Sequence, residues 1–151
     1  MSGISTSTNI EGAQGAAGPS VLVVDDEDLV RAVIARRLRL AGFDVLEARD
    51  GLEALARLPP QGVDLVLTDL HMPRCNGEQL ARDLRRIPAM ATAPILLMTG
   101  GPSDESRMRA AGCTGFVYKP LPDTLADILR AALVHGTSPG TGAGSHRYPA
   151  A

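Results

Sequence analysis

No apolar run in this chain approaches the ~20 residues that a membrane helix needs, and neither sign of charge is in excess. The 15 basic residues stand against 17 acidic ones, for a net charge of −2. That is no electrostatic footprint for nucleic acid or for an anionic membrane. Tryptophan is absent, and the two cysteines, Cys75 and Cys113, form neither a C-x-x-C pair nor a zinc spacing. His135 and His146 likewise have no metal spacing. The opening "MSGISTSTNIEGAQGAAG" lacks the basic start and apolar stretch of a signal peptide. These absences predict a soluble, cytoplasmic protein with reduced thiols and with no nucleic-acid or membrane partner.

What is present is one domain's worth of chain, long enough for a real core. Residues 1–18 and 136–151 are rich in small residues without periodicity and read as flexible tails around a domain over 19–135. The "GTGAG" of the second tail has no strand before it and no helix after it, so it is not a nucleotide loop. Within the domain, strand-like runs are "VLVV" (21–24), "FDVLEA" (43–48), "VDLVLT" (63–68), "PILLMT" (94–99) and "GFVYK" (115–119). Helix-like runs fall at roughly 28–41, 51–58, 77–87, 103–111 and 122–134. In the first helix Val30, Val33, Ile34, Leu38 and Ala41 recur at helical spacing, with Gly42 at the stop. Pro122 suits the first turn of the last.

Five β-α units with short connections predict a doubly wound three-layer α/β sandwich on a five-stranded parallel sheet. The first, third and fourth strands are almost wholly apolar, as a sheet covered on both faces requires. Right-handed crossovers leave few topologies, of which the flavodoxin-like (βα)5 order 2-1-3-4-5 ranks first.

Ligands of such sheets bind outside the carboxyl ends of the strands, where strand order reverses. The first strand ends in Asp25-Asp26, the third in Asp69, the fourth in Thr99 and the fifth in Lys119. The second, an expected edge strand, ends in "EAR" and adds nothing distinctive. Taken singly, each has an ordinary reading: a helix cap for Asp25 or Asp26, a turn residue for Asp69 or Thr99, a solvated loop residue for Lys119. Their coincidence on one rim is hard to obtain by chance. The chemistry this group suits is phosphoryl transfer. Carboxylates bind Mg²⁺ (or Mn²⁺) through oxygen, and a carboxylate beside the metal is a nucleophile toward phosphorus. The metal, Lys119, the Thr99 hydroxyl and backbone N–H groups supply the positive charge such a transfer needs.

The stretches "VLVVDDE", "DLVLTDLHMPRCNG", "PILLMTG" and "GFVYKP", in that order, resemble the receiver domain of two-component response regulators over residues 20–134. The resemblance implies that Asp69 is the phosphoacceptor. Asp26 would be a direct Mg²⁺ ligand, Asp25 would act mainly through bound water, and the His71 backbone carbonyl would be a third ligand. It further implies that Thr99 is the switch hydroxyl, Phe116 the switch aromatic, and Lys119 the phosphate-binding cation, with a cis Lys119–Pro120 bond. Gly100 would leave room for the phosphodonor. That donor would be a histidine kinase or a histidine phosphotransfer protein, docking on the first helix. That helix carries Leu29, Arg31, Arg36, Arg37, Arg39 and Leu40, and most of its arginines read as a solvated face. The downstream partner would be a protein, and the receiver a monomer or a weak phosphorylation-dependent dimer.

Two departures from the family stand out. The Thr99–Lys119 interval is short, which implies a clipped fourth helix and bears on the family's common dimer face. His71 sets an imidazole near the site mouth, where it either alters water access or contributes only its carbonyl. The competing enzyme reading is a Mg²⁺-dependent phosphohydrolase of the haloacid dehalogenase type, with Asp26 as nucleophile and Asp28 as general acid. It leaves Asp69 without a role, and only Asp123 and Asp127, both inside the expected last helix, could serve as its later acid pair. No output-domain motif follows Lys119, so the expected setting is a stand-alone regulator or a receiver excised from a hybrid histidine kinase.

Overall fold

Strands and α-helices alternate along residues 18–135, the part of the chain that the computed structural model describes. In order they are β1 (Ser20–Val24), α1 (Asp28–Leu40), β2 (Asp44–Ala48), α2 (Gly51–Arg57), β3 (Leu65–Asp69) and α3 (Gly77–Arg85). A 3-10 turn (Pro88–Met90), β4 (Ile95–Thr99), α4 (Glu105–Ala110), β5 (Gly115–Tyr118) and α5 (Leu125–His135) complete the domain. The expected tails lie outside the described residues, except for Gly18. The strands form one parallel sheet in the order β2-β1-β3-β4-β5. This is the three-layer flavodoxin-like sandwich that the alternation of patterns predicts.

Successive side chains of a strand point to opposite faces, so each central strand feeds two cores. Leu22, Val24, Val66 and Leu97 pack with Ala54 of α2, Leu80 and Leu84 of α3 and Met108 of α4. Val21, Val23, Leu65, Leu67 and Met98 pack with Ile34 and Leu38 of α1 and Leu125 and Leu129 of α5. Burial of both faces is why these strands read as continuous apolar runs. Val33, expected on the inner stripe of α1, is instead 50% exposed. The stripe is narrower than the spacing suggested, because Ile34, Ala35 and Leu38 already fill the contact. The last helix also begins later than expected. Pro122 opens a turn closed by Leu125 N–H at 3.1 Å, and its carbonyl is held by Arg37 Nη2 at 2.6 Å. The short fourth helix is borne out at six residues, capped by Asp104, whose side chain accepts from Arg107 N–H.

Two buried carboxylates tie the loops and helices around the sheet's carboxyl edge. Glu78 of α3 pairs with Arg107 of α4 at 3.0 Å and with Arg82 on its own helix. Asp50 caps α2 through Glu53 N–H at 2.8 Å and pairs with Arg74 in the loop after β3. Arg74 has a φ of 67°, a conformation that disfavours a side chain with Cβ, and the pair with Asp50 accompanies it.

Burial raises the Cys75 thiol and pushes Cys113 up to about 12. Both side chains are expected to resist a thiol reagent in the native protein at pH 8 and to react fully in denaturant. Rapid labelling of either in native buffer would contradict the packing.

The Asp50 carboxyl is held below its ordinary range by the Glu53 N–H and by Arg74. Burial opposes ionisation of Glu78, but hydrogen bonds and charge from Arg107 and Arg82 outweigh it and lower that carboxyl too. A depressed carboxylate contributes stability that is complete above its unfolded value, about 4, and is lost as pH falls through the folded one. Asp50→Asn and Glu78→Gln should therefore destabilise the domain at neutral pH and flatten its loss of stability below about pH 4. Chemical denaturation at stepped pH checks this, and slopes equal to wild type would refute it.

Candidate functional site: an acidic rim at the strand ends

The parallel register sets Val24 of β1 against Thr68 of β3, so the next residues along, Asp25 and Asp69, meet at the sheet's edge. Asp25 is fully buried, Asp69 is buried and Asp26 is exposed. Ligand oxygens of all three lie within 4.8 Å of one another. Backbone contacts fix Asp25 in place. Its N–H donates to Ala48 O at 3.1 Å, and its Oδ1 accepts from Glu27 N–H at 2.9 Å. Oδ2 is buried without a hydrogen-bond partner among the described residues. Burial raises this carboxyl, with Asp69 and Asp26 adding to the rise while the Glu27 N–H and Lys119 oppose it.

Lys119 follows β5 and is the only lysine in the chain. Its N–H donates to Thr99 O at 2.8 Å, which joins the ends of β5 and β4. Its ammonium lies 3.3 Å from Asp69 Oδ1 and 3.8 Å from Asp25 Oδ2. The Lys119–Pro120 bond is cis. Thr99, buried at the end of β4, donates to Gly101 O at 3.0 Å and lies 3.2 Å from Ser103 Oγ. Space is open beside Gly100, where an added Cβ would meet nothing within 4 Å. Gly77 is the opposite case. A Cβ there would stand 2.5 Å from Asp69 O, so glycine lets α3 begin directly against the backbone that carries Asp69.

The structure thus brings Asp25, Asp26, Asp69 and Lys119 together, with Thr99 on the neighbouring strand end. His71 is exposed in the loop after Asp69. Phe116 is buried beneath the rim in the cluster of Leu97, Met108 and Cys113. Asp28 is 80% exposed at its side chain and pairs with Arg31, while Asp127 is 79% exposed on α5 and pairs with Arg130.

The expected solvated face of α1 needs correction. Arg31 donates to Asp25 O, Arg37 to Pro122 O and Arg39 to Val45 O, so three of its four arginines hold backbone carbonyls. Sequence reasoning also missed Asp50 and Arg74. Only the position of Asp50 before a helix hinted at a role, as a cap.

A divalent cation fits the donor set. Three carboxylates converge, and the buried Asp25 Oδ2 lacks a hydrogen-bond partner, which a cation's bound water would supply. Such a rim, with an ammonium beside one carboxylate, has the charge arrangement needed to receive a phosphoryl group.

Residues 21–131 match the family model described as the response regulator receiver domain. The chain is 33% identical over 126 residues, 82% of its length, to the phosphate regulon transcriptional regulatory protein PhoB of Pseudomonas aeruginosa. It spans only 55% of that protein and as little as 13% of another relative. Chemotaxis protein CheY4 of Vibrio cholerae shares 33% identity at a TM-score of 0.72, over 76% of this chain and 98% of that one. The receiver domain of sensor histidine kinase PA1611 from Pseudomonas aeruginosa, solved with magnesium coordinated in its active-site cleft, shares 26% identity at a TM-score of 0.69. The likeness covers 78% of this chain and 99% of that one. Fold, rim and sequence match together place this chain in the response regulator receiver domain family, a family of signalling modules rather than of enzymes.

Proposed function

We propose that the domain accepts a phosphoryl group on Asp69 from a phosphohistidine donor and changes a protein-binding surface in response. The observation that carries this reading is the meeting of Asp25, Asp26 and Asp69 within 4.8 Å, with Lys119 3.3 Å from Asp69. In the transfer, an Asp69 carboxylate oxygen attacks phosphorus and the donor's N–P bond breaks. The electron pair returns to the leaving imidazole, which takes up a proton. Asp26 and Asp69 would hold a Mg²⁺ ion directly, with Asp25 mainly through water and the His71 carbonyl as a further ligand. That ion supplies charge neutralisation on the phosphoryl oxygens. Lys119, 3.3 Å from Asp69 Oδ1, would add a second positive charge near the same oxygens. Open space at Gly100 leaves an approach for the donor.

The donor is a histidine kinase or a histidine phosphotransfer protein. Relatives that include a transcriptional regulator and a receiver domain of a sensor histidine kinase support this class. So does the apolar surface of Leu29 and Val33, a turn apart and exposed on the helix that follows the acidic loop. The domain assists its own phosphorylation and dephosphorylation but turns over no external substrate.

The switch starts at Thr99. Its hydroxyl is satisfied by Gly101 O and Ser103 in the β4–α4 loop. A phosphoryl group on Asp69 offers a charged acceptor, and charge-assisted hydrogen bonds are roughly twice as strong as neutral ones. The hydroxyl turns toward it, the loop loses its anchor, and Phe116 shifts with the side chain that Thr99 withdraws. This biases a two-state surface around β4 and β5.

Incubation with acetyl phosphate and Mg²⁺, followed by intact-mass analysis, should add one phosphoryl group to the wild type and none to Asp69→Asn. Omitting Mg²⁺ should abolish the gain. Label that persists in Asp69→Asn but vanishes in Asp26→Asn would overturn the assignment in favour of an Asp26 nucleophile. The switch has its own check: Thr99→Ala should still take the phosphoryl group while the NMR shift changes of β4 and β5 are lost. Spectra that move as fully as in the wild type would exclude the Thr99 route.

A further inference from the structure

We infer that Arg31 is a positioning residue for the metal site, acting through the backbone of the loop that carries Asp25 and Asp26. This rests on the receiver reading above and adds a residue outside the rim itself.

Arg31 lies on the first turn of α1, and its side chain is only 15% exposed. The guanidinium is spent in three directions. Nη1 donates to Asp25 O at 2.8 Å, Nη2 to Asp28 Oδ1 at 2.8 Å, and Nε to Glu47 Oε1 on β2 at 3.3 Å. The Asp28 pair cannot explain this burial, because Asp28 is 80% exposed and such pairs contribute little in water. Glu47 is more sheltered, at 28%, and is held from its other side by Arg39 at 3.2 Å. The edge strand therefore anchors Arg31, and Arg31 in turn holds the carbonyl between Asp25 and Asp26.

That peptide sets the aim of both carboxylates. Asp25 N–H is fixed to Ala48 O, its Oδ1 to Glu27 N–H, and Glu27 O to the Arg31 backbone N–H; the Arg31 side chain adds the restraint on the carbonyl that joins Asp25 to Asp26. A planar guanidinium offers several donors in a rigid fork, which a lysine ammonium does not. Partners outside the coordination sphere that orient ligands in this way typically change metal affinity by about 10-fold or more when removed.

The sign of the effect separates positioning from charge. A guanidinium close to a cation site repels the cation, so Coulomb's law alone predicts that removing Arg31 tightens Mg²⁺ binding. Positioning predicts the opposite. The test is isothermal titration of the full, unphosphorylated chain with MgCl₂, alongside thermal unfolding without metal. Arg31→Ala should bind Mg²⁺ about 10-fold more weakly, by more than its change in thermal midpoint would account for. Arg31→Lys keeps the charge, loses the fork and should fall between the two. It also carries the test if Arg31→Ala does not fold. Binding by either variant as tight as wild type, or tighter, overturns the positioning role. A wild-type chain that does not bind Mg²⁺ overturns the receiver reading itself.

Discussion

Three carboxylates whose oxygens lie within 4.8 Å of one another form an arrangement that electrostatics opposes. Like unit charges about 4 Å apart at an effective dielectric of about 20 repel by about 4 kcal/mol. The sheet imposes the arrangement regardless. β1 and β3 are parallel neighbours, and their register brings Asp25 and Asp69 to the same edge, while apolar burial on both faces keeps the strands from slipping. Lys119 offsets part of the repulsion. It reaches Asp69 from β5, across the end of β4, a span of two strand spacings, roughly 10 Å. A long stem ending in a compact charge suits that gap better than a broad guanidinium would. Asp25 Oδ2 still has no hydrogen-bond partner among the described residues, with the ammonium no nearer than 3.8 Å, and the remaining imbalance is what a divalent cation fits.

The division of labour between the two basic residue types follows from the same constraint. One lysine serves the rim, and the other basic side chains are all arginines. Many of these bind carbonyls in loops, beyond helix ends or along the edge strand β2. Arg37 holds Pro122 O, Arg39 holds Val45 O, Arg57 holds Glu47 O, and Arg85 holds Gly112 O and Met90 O. An always-charged fork satisfies orphan carbonyls without competing for the centre of the site. At the carboxyl edge itself the loops are tied by Arg31 to Asp25 O, by Arg37 to Pro122 O and by the Asp50–Arg74 and Glu78–Arg107 pairs, against charges that would otherwise push the rim open.

Much of this was legible in the sequence. Sheet order and the strand-end residues follow from local signals: runs with apolar residues on both faces, short connections, and a polar residue where each run stops. Pairings between distant charges were not legible. Arg74 and Asp50 are 24 residues apart, Arg107 and Glu78 are 29, and Arg31 and Glu47 are 16. A buried Glu78 or Asp50 looks in sequence like any helix-start acid, since nothing local shows that an arginine from another element will cover it. Val33 and Pro122 failed for a related reason. Spacing gives a face, but the neighbouring elements decide how much of that face is buried and where the next helix begins.

The same network bears on how a signal could leave the rim. α4 is tied to α3 through Arg107 and Glu78, and the carbonyl of Gly112 beyond its C-terminus is held by Arg85. A helix of six residues held at both places has little freedom to roll as a body. The stretch from Gly100 to Ser103 is held differently. Its side-chain bonds run to Thr99 or within the segment, from Ser103 Oγ to Gly101 O, and its two glycines face open space. Under the proposed function, movement of the Thr99 hydroxyl therefore acts first on the segment bonded to it. The short fourth helix then serves as a fixed wall against which that loop rearranges, so the readable surface lies at the β4–α4 loop and the end of β5.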